Sequence, residues 1–171
     1  MDRMASIELA LKNEQAEMEW YLNEAGRSRN PLAKAMFKNL AKDEEEHMTR
    51  IKALHGKLTD KGAWPEDLPI EVRGTDITAT LAGLVGKSGS AEDHDDDDEA
   101  AIRRAIEFET KGELFYKDLA KACENPQERT FFEFLAGIER EHRLSLADTL
   151  AYFENPEAWL EQHEKINLDG A

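Results

Sequence analysis

One cysteine, Cys123, is all the thiol chemistry in this 171-residue chain. That excludes an intrachain disulfide and any cysteine-rich zinc or iron–sulfur site, and it leaves Cys123 to be read as a packed, inert thiol. No run of about 18 apolar residues occurs, so no segment reads as a membrane-spanning helix. The start, Met1-Asp2-Arg3-Met4, lacks the basic residues, apolar run and small-residue cleavage site of a secretory leader, and the expected location is the cytoplasm. Positive charge is also short: 22 Lys and Arg stand against 37 Asp and Glu, for a net charge of -15. A surface this acidic repels phosphate, which argues against nucleic acid and anionic membranes as partners. The run Glu92-Asp93-His94-Asp95-Asp96-Asp97-Asp98-Glu99 has no base to neutralise it and reads as a solvated linker. It lacks the central glycine and alternating ligands of a calcium loop.

What the chain does have is helical periodicity, twice over. Ile7, Leu11, Glu14, Met18, Tyr21 and Ala25 recur every three or four residues, which is one face of a helix. Asn30-Pro31 then supplies an N-cap and a proline at the first helical position. A second seam follows through Ala33, Phe37, Leu40, Glu44, His47, Ile51 and Leu54, with His55-Gly56 as its expected end. Ile102, Ile106, Glu109, Glu113, Tyr116 and Ala120 form a third seam, Asn125-Pro126 caps again, and Phe132, Leu135, Glu139, His142, Leu146 and Leu150 form a fourth.

The halves match at a constant offset of 95 residues. Glu14 falls on Glu109, Tyr21 on Tyr116, Ala25 on Ala120, Asn30-Pro31 on Asn125-Pro126, Phe37 on Phe132, Glu44 on Glu139, and Glu46-His47 on Glu141-His142. This is an internal duplication. The short connections predict two antiparallel helix hairpins, and so an all-α four-helix bundle with pseudo-two-fold symmetry. The expected organisation is one domain over residues 1–171. Hairpin 1 covers about 5–55, a crossover linker about 56–100, hairpin 2 about 101–151, and a short helix and tail 152–171. The crossover holds turn signals at Trp64-Pro65 and Leu68-Pro69 and room for a short helix over 76–85; Asn155-Pro156 starts a last short helix through Trp159.

The chemistry lies where charge interrupts the apolar seams. Glu14, Glu44, Glu109 and Glu139 sit on faces otherwise built of Leu, Ile, Met, Phe and Tyr. Burying an unpaired carboxylate costs several kcal/mol, so four converging in one core require cations. Glu44/His47 and Glu139/His142 are each Glu-x-x-His, which puts both side chains on one helix face a turn apart. One Glu from each of two helices and Glu-x-x-His from each of the other two is the ligand set of di-iron and di-manganese carboxylate bundles. An oxygen-rich, thiol-free set favours iron or manganese over structural zinc, with manganese open in one or both positions.

On these residues, with Tyr seven positions after Glu in both Glu14–Tyr21 and Glu109–Tyr116, the chain resembles the rubrerythrin family of ferritin-like proteins over essentially its whole length. The closing segment from Asn155-Pro156-Glu157-Ala158-Trp159 to Leu168-Asp169-Gly170 is similar to the tail of stand-alone members. The resemblance implies a non-haem di-iron site, two Fe ions cycling between ferrous and ferric, that reduces hydrogen peroxide to water. It implies Glu44 and Glu139 as bridging ligands, Glu14 and Glu109 as terminal ones, and His47 and His142 as one nitrogen ligand per iron. Tyr21 and Tyr116 would hydrogen-bond to the ligand carboxylates. A homodimer is expected on the same ground.

Two departures from the family pattern stand out. The rubredoxin domain with its four cysteines is missing, so electrons would come from a separate rubredoxin-type donor. The further carboxylate expected three residues after Glu109 is replaced by Gly112, whereas its counterpart in the first repeat is Glu17. Glu17 is either a seventh ligand or a solvent-facing glutamate. Glu113 reads as an edge residue; His55, His94 and His163 read as surface residues, and Trp20 and Phe115 as core packing. Two other functions stay open: a ferroxidase or iron-handling protein that uses O₂, and a non-catalytic bundle with a structural metal.

Overall fold

The structure is a computed structural model and describes residues 3–61 and 96–168. The reading of 76–85 as a short helix, and most of the crossover, therefore lie outside the described residues. All five described elements are α-helices: α1 Arg3–Arg27, α2 Pro31–Lys61, α3 Asp96–Ala122, α4 Pro126–Glu154 and α5 Pro156–Leu168. No strand occurs among the described residues, and the fold is an all-α ferritin-like bundle.

The Asn-Pro punctuation works as read. Asn30 Oδ1 accepts from the backbone N–H groups of Leu32 at 2.8 Å and Ala33 at 3.1 Å. Asn125 Oδ1 accepts from Glu128 N at 3.0 Å, and Asn155 Oδ1 from Ala158 N at 3.1 Å. Each cap satisfies helix-start donors that have no partner within the helix, while the following proline has no N–H to lose.

Helix ends differ from the sequence reading in three places. α2 runs through Gly56 to Lys61; a glycine costs about 1 kcal/mol inside a helix but does not stop one that is packed. Leu58, on that extra turn, is 4% exposed. α5 continues from Trp159 to Leu168. The third correction is the acidic run, whose last residues open α3. Carboxylates in a first helical turn are favoured by the exposed N–H groups and the helix dipole. Asp98 is not solvated at all. It is 3% exposed, accepts from Ser28 Oγ and takes the Asn30 N–H at 3.2 Å, which ties the start of hairpin 2 to the turn of hairpin 1.

Two apolar clusters hold the hairpins together, and their membership fixes how the hairpins lie. One joins the turn end of hairpin 1 (Tyr21, Ala25, Ala33, Phe37, Leu40) to the open end of hairpin 2 (Ile102, Ala105, Leu146, Phe153). The other joins the turn end of hairpin 2 (Tyr116, Ala120, Phe132, Leu135) to the open end of hairpin 1 (Ile7, Ala10, Ile51, Leu54). The hairpins therefore run head to tail, as the duplication requires. Trp20 packs against the first cluster and Phe115 against the second. α5 closes the first cluster with Trp159, whose ring meets Tyr152 edge-on at 5.4 Å and whose Nε1 donates to Asp148 at 2.8 Å. Between the clusters lies a belt of charge.

Candidate metal centre

Each carboxylate of the belt is delivered by a seam position, so the helices that bury the apolar residues bury the acids with them. Glu14, Glu44, Glu109 and Glu139 are 0% exposed, Glu17 is 4%, and His47 and His142 are 3% each. All six residues expected as ligands come together, and Glu17 joins them. Its reading as a solvent-facing glutamate is ruled out by that burial.

Glu44 occupies the middle. His47 Nδ1 lies 2.9 Å from Glu44 Oε2 and 3.2 Å from Glu14 Oε2. His142 Nδ1 lies 3.1 Å from Glu44 Oε1, without the alignment of a hydrogen bond, and 3.5 Å from Glu109 Oε1. The two imidazoles stack at 5.5 Å between centroids and 23° between planes, facing each other across the pseudo-two-fold axis. Donor atoms of Glu44, His47 and His142 fall within 4.8 Å of one another, and so do those of Glu14, Glu17 and Glu139.

The tyrosines cross over. Tyr21 of hairpin 1 donates to Glu109 Oε1 of hairpin 2, and Tyr116 of hairpin 2 donates to Glu14 Oε1 of hairpin 1 at 2.7 Å. Each ring stacks on the phenylalanine of its own hairpin, Tyr21 on Phe37 at 6.1 Å and Tyr116 on Phe132 at 6.3 Å. A hydroxyl held this way fixes one oxygen of its glutamate and leaves the other facing inward.

Those inward atoms are unpartnered. Glu14 Oε2, Glu17 Oε2, Glu44 Oε1, Glu109 Oε2, both oxygens of Glu139 and His142 Nδ1 are buried without a hydrogen-bond partner. A buried acceptor left unpaired costs about 1–3 kcal/mol, more when charged, and so many at one point mean that something positive completes them. The donor set fits two divalent cations: it is hard and oxygen-rich, with one imidazole from each Glu-x-x-His.

Without cations, protons take that role. Burial, and then the neighbouring Glu44, push the Glu14 carboxyl up to about 7. Glu17 and Glu139 are raised well above the ordinary range, first by burial and then by other carboxylates, Glu44 acting on Glu17 and Glu17 on Glu139. Burial alone would lower the histidines. Glu14 and Glu44 outweigh it at His47, which reaches about 9, and Glu109 and Glu44 do so at His142. Burial would raise Glu44, but the imidazoles of His142 and His47 hold it below its ordinary value. Cations binding here must displace protons.

Glu113, read as an edge residue, stays out of the cluster but is buried, at 7% exposure. It is held by Lys117 and, at 3.1 Å, by Arg143 Nε, and its carboxyl is lowered by the hydrogen bond from Lys117. Cys123 is half-buried, and its thiol meets the Leu119 carbonyl at 3.1 Å; burial pushes its pKa up, away from reactivity. His55 is partly exposed, 3.9 Å from Glu8, whereas the side chains of His94 and His163 lie outside the described residues. Sequence reading missed Asp43, whose Oδ2 lies 3.8 Å from His142 Nε2, the nitrogen turned away from the cluster. At that distance Asp43 acts on the ring as a nearby negative charge, not as a hydrogen-bond partner. Its counterpart in the second repeat is Ile138, so the repeat itself held no sign of it.

Residues 101–168 match the family model described as Rubrerythrin. The match covers the second hairpin and α5, less than half of the chain. The chain as a whole is consistent with a rubrerythrin-family ferritin-like protein, its first hairpin repeating the residues of the second at an offset of 95. No curated protein and no solved structure matches the chain. A rubrerythrin domain points to a di-iron ferritin-like oxidoreductase. Among the described residues, no helix is long and apolar enough to cross a membrane.

Proposed function

We propose that this chain is a non-haem di-iron peroxidase that reduces hydrogen peroxide to water with electrons from a separate protein. The observation that carries the reading is the cluster of unpartnered buried donor atoms on Glu14, Glu17, Glu44, Glu109, Glu139 and His142. Glu14 and His47 would hold one iron, Glu109 and His142 the other, with Glu44 and Glu139 shared. Glu44 supports that role by lying against both imidazoles. Glu17 adds a seventh donor beside Glu14 and Glu139. Manganese fits the same donors.

Reducing one peroxide to two waters consumes two electrons and two protons; a bound ferrous pair supplies the two electrons and polarises the O–O bond. The chain contributes orientation and exclusion. Tyr21 and Tyr116 lock one oxygen each of Glu109 and Glu14, so the carboxylates cannot swing freely. The apolar clusters on either side keep bulk water out. Beside His47 lies a cavity of about 10 Å³ walled by Arg50, Ile51, Phe131, Phe134, Leu135 and Ile138, about one water at most. Such a site suits a small oxidant better than an organic substrate. With a single cysteine, this chain cannot hold a rubredoxin-type centre, so a rubredoxin-type partner is the proposed donor. A homodimer in the cytoplasm is the proposed working form.

The competing reading is a ferroxidase that uses O₂, which would employ the same ligands. Anaerobic loading with Fe(II), followed by stopped-flow mixing with peroxide or with O₂, separates the two. Peroxide is expected to oxidise the iron far faster. O₂ reacting at an equal or greater rate would replace the peroxidase reading with the ferroxidase one.

A further inference from the structure

The two repeats diverge at Glu17 and Gly112, and both residues line the same surface groove. It lies between α1 and α3, encloses about 240 Å³, and is bounded by Asn13, Ala16, Glu17, Phe108, Lys111, Gly112 and Phe115. Behind it sits the metal centre. A Cβ placed on Gly112 would stand 2.8 Å from Glu139 Oε2 and 3.0 Å from its Cδ, so the Glu139 carboxylate fills the space that any larger residue would claim. At this glycine no side chain of α3 stands between the groove and Glu139. Beside it, Glu17 lines the groove while its buried Oε2 is unpartnered and belongs to the cluster with Glu14 and Glu139. Of the five carboxylates it alone has measurable exposure, 4% against 0% for the others. The cavity beside His47, at about 10 Å³, is no rival as a route.

We infer that the α1–α3 groove over Glu17 and Gly112 is the port through which hydrogen peroxide reaches the metal centre. The inference rests on the peroxidase reading for the identity of the oxidant, but the route stands on the geometry. The walls suit a small uncharged molecule. Phe108 and Phe115 line the groove with apolar surface, Asn13 offers hydrogen bonds, and the charges of Lys111 and Glu17 offset each other, so the lining has no net preference for an ion. Peroxide is neutral and small enough to pass. Glycine at 112 lets the Glu139 carboxylate lie directly behind the groove wall, and Glu17 lines the groove beside it.

Two groove variants test this outside the metal-facing groups. Ala16 is exposed on the rim, so Ala16→Phe plugs the groove without entering the core; Phe108→Ala widens it. Nitric oxide association with the Fe(II)-loaded protein reports access without turnover. Metal stoichiometry and thermal unfolding report an intact centre. Ala16→Phe is expected to slow both nitric oxide association and peroxide oxidation by ~10-fold or more, with two metals still bound. Phe108→Ala is expected to raise the rate with tert-butyl hydroperoxide relative to hydrogen peroxide. If Ala16→Phe binds metal normally and both rates stay within about twofold of wild type, the port lies elsewhere. Should Ala16→Phe misfold, an unchanged hydroperoxide ratio in Phe108→Ala overturns the port by itself. A wild type that binds nitric oxide in a groove-dependent way yet ignores peroxide would overturn the peroxidase reading and keep the port.

Discussion

The two hairpins are the same device built twice, and they differ where the device meets its surroundings. Glu14/Glu109, Tyr21/Tyr116, Phe37/Phe132, Glu44/Glu139 and His47/His142 are paired in sequence and sit in matching places around the pseudo-axis. Glu17 faces Gly112 across the groove, Met18 is replaced by the ion-paired Glu113, and Asp43 behind His142 is replaced by Ile138 beside the small cavity at His47. The shared residues define a centre that either half could contribute to equally. The differences make its two sides unequal, with Glu17 and a groove on one face and, among the described residues, Asp43 near one imidazole where the repeat puts Ile138. Duplication thus supplies the buried donor set, and divergence between the copies makes its two faces unequal.

The sharpest way to break the symmetry is at its middle. Glu44→Ala removes the carboxylate that touches both imidazoles and leaves two buried cationic rings short of their partner. A loss of about 3–5 kcal/mol is expected in the metal-free protein, the range for breaking a buried ion pair, with metal content falling to one ion per chain or fewer. Elemental analysis and chemical denaturation read both. If Glu44→Ala bound metal as well as wild type, the whole site assignment would fall.

Next in size is the pH response of the metal-free protein, to which both halves contribute. Glu14 moves from 4.5 to about 7 and His47 from 6.5 to about 9 on folding. Both shifts are upward. The stability they contribute is fully present below the unfolded values and is lost as pH rises through the folded ones. Glu17, Glu139 and His142 shift the same way. Glu44 shifts downward, so its contribution is fully present above its unfolded value of 4.5 and is lost as pH falls below it. The melting temperature of the metal-free protein should therefore fall between about pH 5 and pH 9, whereas the loaded protein, whose ligands are already deprotonated, should fall less. Parallel pH profiles for the two forms would contradict the proton-for-metal exchange.

The smallest effect tests the likeness of the halves directly. Tyr21→Phe and Tyr116→Phe each orphan one oxygen of a buried glutamate in the opposite hairpin, at a cost of about 1–3 kcal/mol. The two variants should be destabilised to similar extents in denaturant. A large disparity would mean that the cross-bracing is one-sided and that the pseudo-symmetry is confined to the backbone.

Much of the site was legible in the sequence because a buried charge violates the pattern around it. Glu14, Glu44, Glu109 and Glu139 stand out against Leu, Ile, Phe and Tyr on a seam of period 3.6, and the repeat tells which ones belong together. Residues outside that pattern were less visible. Glu17 follows Glu14 by one turn, and nothing local separates an inward rotation from an outward one, so its burial had to be seen. Asp43 precedes Glu44 on a flanking face and matters only because His142 of another helix is near. Asp98 reads as one acid in a charged run, yet the turn of hairpin 1 is brought against it and supplies Ser28 Oγ and the Asn30 N–H. Gly56 looked like a stop because glycine is a poor helix former, but packing of Ile51, Leu54 and Leu58 outweighs about 1 kcal/mol of propensity.

By itself the sequence determined which side chains could meet a metal and that they come in two matching sets, because helical periodicity and duplication are properties of spacing alone. Only the tertiary structure decided that each tyrosine serves the opposite hairpin's glutamate, that Glu44 lies between both histidines, and that Gly112 clears room for Glu139 beneath a groove. Those relations depend on the head-to-tail seating of one hairpin in the other, which the two apolar clusters enforce and which no local stretch of chain encodes.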